Sequence, residues 1–285
     1  MHLAKTMNLI IQTMKTLKLV TLTLILSLVF TACKENKTEK EEPAASENTE
    51  TLEKKEEAKI TIEKLSDSPA YADASLEMNT PDNLKIADGT SVDFGFTVSN
   101  YELTAQTDSP NATLLANSGK GQHIHFILNN QPYSAHYDPS FSKELPNGVH
   151  HLVAFLSRSY HESVKNANSV VVKKLEVGPD AKDTQGLDME APTLIYSRPK
   201  GAYTGKGTEN VLLDFFVLNT TLSADGNKVR ATINGQEFMI TEWVPHVIKG
   251  LPKGEATIQL ELLDAEGNVI PGPFNKVTRT IALKE

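Results

Sequence analysis

Residues 227–238, NKVRATINGQEF, decide the fold, because they read as two β-strands joined by a tight turn. Val229, Ala231 and Ile233 alternate with polar residues, and this period of two is typical of a strand with one face in a core. Asn234-Gly235 then separates two such runs, and Asn-Gly is the strongest short signal for a two-residue hairpin turn. The stretch therefore predicts an antiparallel hairpin.

This stretch has a counterpart earlier in the chain, and two more blocks repeat in the same order. The pairs are QHIHFILNNQPY (122–133) with residues 227–238, SVDFGFTVSNYEL (91–103) with NVLLDFFVLNTTL (210–222), and LPNGVHHLVAFL (145–156) with LPKGEATIQLEL (251–262). The first copy carries an insertion within residues 104–121. A repeat made of short strands predicts an all-β fold with two tandem immunoglobulin-like β-sandwich domains, and an open barrel is the alternative.

The repeat and the local composition set the expected domain boundaries. We expect a His-rich β-sandwich at 60–178, with residues 60–65 adding an edge strand to it. A linker follows at 179–191, and the second β-sandwich takes residues 192–285. Residues 34–59 are dominated by Lys and Glu, and such a segment buries too little apolar surface to fold, so it predicts a disordered charged tether.

Residues 1–33 have the pattern of an export signal. Lysines precede an apolar run at residues 19–30, which is too short to span a bilayer as a helix. Thr31, Ala32 and Cys33 follow, and this end resembles the lipobox of bacterial lipoproteins. The resemblance implies that Cys33 is acylated and becomes the mature N-terminus. It implies a lipid-anchored protein of the cell envelope at the outer membrane, on the periplasmic or the surface face.

Composition excludes several classes of function. The net charge of −8 argues against nucleic-acid binding, which needs a basic surface. The single cysteine rules out an intrachain disulfide and argues against thiolate metal sites. The common hydrolase and nucleotide-binding motifs are absent from the sequence, so we expect a binding protein and not an enzyme.

Histidine is the most informative residue type, because six of the eight histidines fall between residues 123 and 161. The second copy has Lys228 and Arg230 where the first has His123 and His125, so the fold itself does not require these imidazoles. Two histidines on one strand face with a third nearby are typical of Zn(II) or Cu(II) sites. We predict a site formed by His123, His125 and His151 on the outward face of the first domain. His136 or His161 would complete it.

Two alternatives stay open at this stage. The histidines can be a polar surface, or a surface that responds to pH, because imidazole titrates between pH 5 and 8. The protein can also be a metal-free surface module, in which Tyr133, Tyr137 and Tyr160 bind a glycan or a protein partner beside the 104–121 insertion.

The spacing of these motifs also resembles a known group of sequences. Gly121, His123, His125 and Leu128, followed by the LPNGVH turn at 145–150 and then His161, resemble small exported bacterial domains of unknown function. Similar lipoproteins are sometimes labelled phosphopeptide-binding. Arg158 is the one arginine of the first copy, so the Arg cluster that such binding needs is missing from that copy.

Overall fold

A computed structural model describes residues 59–81, 83–84 and 91–285 of the chain. The predicted signal peptide, Cys33 and the tether up to residue 58 lie outside these residues. Within the described residues, no helix is long and apolar enough to cross a membrane.

The first sandwich follows a short N-terminal strand, β1 (Thr61–Lys64). Its strands are β2 (Ser75–Met78), β3 (Asn83–Leu84), β4 (Ser91–Ser99), β5 (His123–Leu128), β6 (Ser134–His136), β7 (Ser140–Glu144), β8 (Gly148–Ser157) and β9 (Val170–Val177). One sheet has the order β2-β4-β7, and the other has the order β3-β9-β8-β5-β6. A short helix, α1 (Asn111–Leu114), lies in the insertion between β4 and β5.

The second sandwich repeats this arrangement strand for strand. Its strands are β10 (Thr193–Arg198), β11 (Ala202–Tyr203), β12 (Val211–Leu218), β13 (Lys228–Ile233), β14 (Gln236–Ile240), β15 (His246–Lys249), β16 (Gly254–Leu263) and β17 (Lys276–Leu283). The sheets have the orders β10-β12-β15 and β11-β17-β16-β13-β14. Even the parallel pair β3-β9 recurs as β11-β17. The prediction of two tandem immunoglobulin-like β-sandwiches is confirmed.

The two predicted hairpins are present, and their turns explain the sequence signal. Asn234 and Gly235 join β13 to β14 with φ values of 47° and 85°. Residues 129–133 join β5 to β6, and Asn129 and Asn130 at the start of this loop both have a φ of 52°. Positive φ at both central residues is the geometry of a type I′ turn, which matches the twist of the strands on either side.

The position of β1 corrects the expected boundary of the first sandwich. Residues 60–65 were predicted to add an edge strand to that domain, and this is wrong. β1 pairs antiparallel with β15, with Ile62 opposite Ile248, so it extends a sheet of the second sandwich. The reason is apolar packing, since Ile60 and Ile62 contact the core of the second sandwich.

The two sandwiches pack against each other through the outer faces of their sheets, which would be exposed to solvent in an isolated sandwich. Ile127, Val153 and Phe155 of the first sandwich form one buried cluster with Ile195 and Phe216 of the second. The sheet that contains β10, β12 and β15 is therefore covered on both faces. This explains why β12 reads VLLDFFVL, because a strand buried on both faces is apolar at nearly every position.

A buried ion pair and the insertion extend this interface. The Lys165 ammonium lies 2.5 Å from the Asp214 carboxylate, and Asp214 also accepts a hydrogen bond from the Ser163 backbone N–H. The Asp214 side chain is fully buried. Leu115 of the insertion packs beside Leu212 of the second sandwich. The insertion thus belongs to the contact between the two domains.

Candidate functional site

Three histidines meet at the junction of the two sandwiches, and we call His123, His125 and His161 the histidine cluster. His123 and His125 lie two residues apart on β5, so their side chains leave the same face of the sheet. Both side chains are fully buried, because the second sandwich covers that face. His161 is half-buried and reaches the cluster from the loop that follows β8.

A tight turn directs His161 toward the other two histidines. Ser157 and Ser163 form an isolated antiparallel bridge, and the Arg158 backbone N–H donates to the Glu162 carbonyl at 2.9 Å. His161 at the tip has a φ of 71°, which is uncommon for a residue other than glycine. The Arg158 guanidinium lies 3.1 Å from the Glu162 carboxylate, and both side chains are buried. The turn is thus held by buried polar contacts.

Ring nitrogens of the three histidines lie close together, with His123 Nε2 in contact with both of the others. His123 Nε2 lies 2.9 Å from His125 Nε2 and 3.2 Å from His161 Nδ1. One ligand atom from each of the three residues lies within 4.8 Å of the others. In a tetrahedral zinc centre with Zn–N bonds of about 2.0–2.1 Å, neighbouring donors are about 3.3 Å apart. Both measured separations are within about 0.4 Å of that spacing.

Polar contacts at the far side of two of the rings, His123 and His125, orient those rings for ligation. His123 Nδ1 lies 2.8 Å from the Gly121 carbonyl, and since a carbonyl only accepts, Nδ1 carries the proton. The Nε2 lone pair of His123 therefore faces the cluster. The Ser197 hydroxyl makes a long contact of 3.4 Å with His125 Nδ1. A carbonyl partner such as Gly121 fixes the tautomer of a metal-binding histidine, whereas a hydroxyl can donate or accept.

Burial keeps the cluster uncharged. Desolvation lowers the pKa of His123 to about 4, against an opposing effect of the Gly121 carbonyl, with further lowering by Arg198. Desolvation also lowers the pKa of His125 and of His161, and Arg198 and Lys200 add to both effects. Neutral imidazole is the form that binds a metal ion, so no proton has to be displaced from an imidazolium near neutral pH.

The Tyr133 ring packs against one side of the cluster, and two cationic side chains lie over this ring. Its ring stacks on His125 at a centroid distance of 3.6 Å, and its hydroxyl lies 3.3 Å from His161 Nδ1. The Lys200 ammonium lies 4.1 Å from the centre of the Tyr133 ring, and the Arg198 guanidinium lies 5.3 Å from it. Burial raises the pKa of the Tyr133 phenol, and Arg198 opposes that effect.

Two of the predicted metal ligands lie elsewhere, and strand register explains both errors. Ser157 pairs with His123, so His151, six residues earlier on β8, is about 20 Å away along the strand. The His151 ring stacks on Phe274, with its centroid at 5.6 Å. His136 pairs with Ile124 and therefore lies on the opposite face from His123. Its ring stacks on Phe141.

The tyrosines do not form the exposed surface that the sequence suggested. Tyr133 and Tyr160 are buried at the domain junction, and the Tyr160 hydroxyl donates to Ser68. Tyr137 is half-buried, 4.9 Å from His123 between ring centres. The prediction that these residues bind a partner directly is therefore wrong for Tyr133 and Tyr160, because the second sandwich and the insertion cover them.

Sequence reasoning missed the contribution of the second sandwich to the site. Ser197, Arg198 and Lys200 all come from the end of β10 and the residues after it. No local pattern marks them, because their proximity to the histidines depends on how the two domains pack. The sequence did contain an indication of that packing, because apolar residues occupy both faces of β8 and β12, as expected for strands that are covered on both sides.

Comparison with known proteins does not assign the chain to a family. No protein-family model and no curated protein sequence matches the chain. The fibronectin(III)-like modules of Clostridium thermocellum CbhA are similar at 12% identity, over 73% of this chain and 94% of that chain, with a TM-score of 0.26. The two tandem V-type regions of the chitin-binding protein VCBP3 are similar at 9% identity, over 74% and 99% of the two chains, with a TM-score of 0.22.

A third similar structure is SGBP-B of the Bacteroides ovatus mixed-linkage glucan utilization locus, in complex with a mixed-linkage heptasaccharide. Its identity is 11% over 74% of this chain, with a TM-score of 0.23, and this chain spans 47% of its length. The strand order of the four sheets identifies the two tandem immunoglobulin-like β-sandwiches of this chain.

Proposed function

We propose that this chain is a membrane-anchored binding protein whose first sandwich holds a divalent transition metal ion, Zn(II) or Cu(II), through His123, His125 and His161. The observation that carries the proposal is the proximity of three ring nitrogens, because His123 Nε2 lies 2.9 Å from His125 Nε2 and 3.2 Å from His161 Nδ1, and one ligand atom from each residue lies within 4.8 Å of the others. Imidazole is a good ligand for both metals.

The chemistry of the apo cluster supports this proposal. His123 Nε2 has no proton, so it accepts one hydrogen bond at most along its lone pair, and yet it faces nitrogens of both His125 and His161. If Tyr133 donates its hydroxyl proton to His161 Nδ1, that nitrogen is unprotonated and does not donate to His123 Nε2. The contact between these two nitrogens then has no shared proton, and a metal ion bound between the rings would replace it with coordination bonds.

The internal repeat supplies a comparison within the same molecule. At the positions of His123 and His125 the second sandwich has Lys228 and Arg230, and Arg230 forms a salt bridge with Glu261 at 2.8 Å. The repeated fold thus accommodates ordinary charged residues there. The two neutral imidazoles at the equivalent positions of the first sandwich are consistent with a ligand-binding role for the cluster.

The anchor is the part of the proposal that the sequence supports by itself. Acylation of Cys33 would attach the chain to a membrane, and residues 34–59 would then reach at most about 90 Å when fully extended. The first described strand, β1, is an edge strand of the second sandwich, so the tether would join the molecule at that sandwich.

Calorimetric titration of the metal-free protein with Zn(II) and with Cu(II) tests the metal site. We expect one ion per chain, loss of binding in the His123→Ala/His125→Ala double variant, and a loss of affinity of at least about 10-fold in His161→Ala. His151→Ala and His246→Ala are controls that keep full affinity, because both histidines lie outside the cluster.

Unchanged affinity in the double variant would refute the metal site. If the wild-type protein bound neither metal, the cluster would be a packing feature of the interface. Glycan and protein partners would then become the next candidates to test.

A further inference from the structure

Positive charge surrounds the histidine cluster without a carboxylate to balance it. Arg198 is 6% exposed, and its Nε has no hydrogen-bond partner among the described residues. Lys200 donates from Nζ to the Tyr133 carbonyl at 2.6 Å. In the described part of the chain, no Asp or Glu lies within salt-bridge distance of either cation.

A divalent ion bound by neutral imidazoles alone would add two further positive charges to this region. Buried charges of one sign are costly, because protein interiors screen charge less than water does. An anionic donor close to the metal position would offset part of this charge. The nearby acid in the sequence, Glu162, is already paired with Arg158 and Ser68.

Tyr133 is placed to supply that donor. Its oxygen lies 3.3 Å from His161 Nδ1, which equals the spacing of about 3.3 Å between two donors on one tetrahedral centre. Its ring is fixed by the stack on His125, and the two cations lie over the ring. A phenolate at this position would balance part of the charge of Arg198, Lys200 and the metal ion.

We infer that Tyr133 is the fourth ligand of the metal and binds as a phenolate. This inference rests on the proposed function. When the metal–oxygen bond forms, the O–H bond breaks and the proton leaves to solvent, with no change of oxidation state. Because phenolate is a harder donor than imidazole, Tyr133 favours Zn(II) and Cu(II) over Cu(I).

Titration of the protein with Cu(II), followed by visible absorption, tests the inference. The wild-type protein should develop a phenolate-to-Cu(II) charge-transfer band that saturates at one ion per chain. Tyr133→Phe keeps the ring and its stack on His125 and should lose the band, with an affinity loss of about 10–100-fold. Tyr137→Phe is the matched control, because its hydroxyl bonds to Ser118 at 2.7 Å, and it should keep the band.

The outcomes separate this inference from the function on which it rests. Binding that depends on His123 and His125 but gives no band, or a band that persists in Tyr133→Phe, overturns the role of Tyr133 alone. A requirement for an added small anion, again without a band, also overturns it and assigns the fourth position to that anion. Absence of histidine-dependent binding refutes the proposed function and this inference together.

Discussion

Acid should destabilise the metal-free protein, and His123 provides the best-defined contribution. The pKa of His123 is lowered to about 4 in the folded protein, against about 6.5 in the unfolded chain. The unfolded chain therefore takes up the proton first. The stability that His123 contributes is complete above about pH 6.5 and is lost as the pH falls toward 4.

The size of the effect follows from the two pKa values. One pKa unit corresponds to about 1.4 kcal/mol, so His123 alone lowers the unfolding free energy by about 2 kcal/mol between pH 7.5 and pH 5. No reduction for solvent screening applies, because the side chain is fully buried. His125 and His161 act in the same direction, since the pKa of each is also lowered by burial.

Urea unfolding at pH 7.5 and pH 5, in the presence of a chelator, measures this effect. The wild-type protein should lose more stability between the two pH values than His123→Gln does, by about 2 kcal/mol. Val153→Ala is the control, because it removes buried apolar contact at the same interface and changes no titrating group. An equal pH-dependent loss in the wild-type protein and in His123→Gln would refute the reasoning.

Two further predictions concern stability at the junction and near the site. Asp214→Ala leaves the Lys165 ammonium without its buried partner, so it should lower the unfolding free energy by about 3–5 kcal/mol in urea denaturation. A loss below about 1 kcal/mol would show that the pair is not buried in solution. Gly121→Ala should lower the unfolding free energy by about 2–4 kcal/mol, because its Cβ would lie 2.1 Å from the Thr104 carbonyl oxygen at a φ of 83°. Gly235→Ala is the control, since Gly235 also has a positive φ but has open space around it, and it should lose about 1 kcal/mol. Thermal unfolding measures both losses, and equal losses at the two glycines would contradict the predicted clash at Gly121.

Much of the fold could be predicted, because the deciding signals are local. The alternation in β13 and the Asn-Gly turn depend on residues that are adjacent in sequence. Because the first copy aligns with the second, the same strands could be predicted in the first copy. The position of β1 could not be obtained in this way, because the pairing of β1 with β15 depends on the packing of Ile60 and Ile62 against a core that is remote in sequence.

The candidate site could be predicted only in part, for a physical reason. The pairing of His123 with His125 on one face follows from the strand period. The identity of the third ligand depends on the register between β5 and β8, which the sequence does not give. In the structure Ser157 pairs with His123, so His151 lies far from the cluster. The burial of the cluster depends on the contact between domains, and the outward face of β5 is solvent-exposed only in a domain that stands alone.

The most direct test of the metal site is a crystal structure of the Zn(II)-loaded protein with anomalous data at the zinc edge. We predict one strong anomalous peak about 2.0–2.1 Å from His123 Nε2, His125 Nε2 and His161 Nδ1. A strong peak at His151 or His136 instead, or no peak at the histidine cluster in fully loaded crystals, would contradict the account.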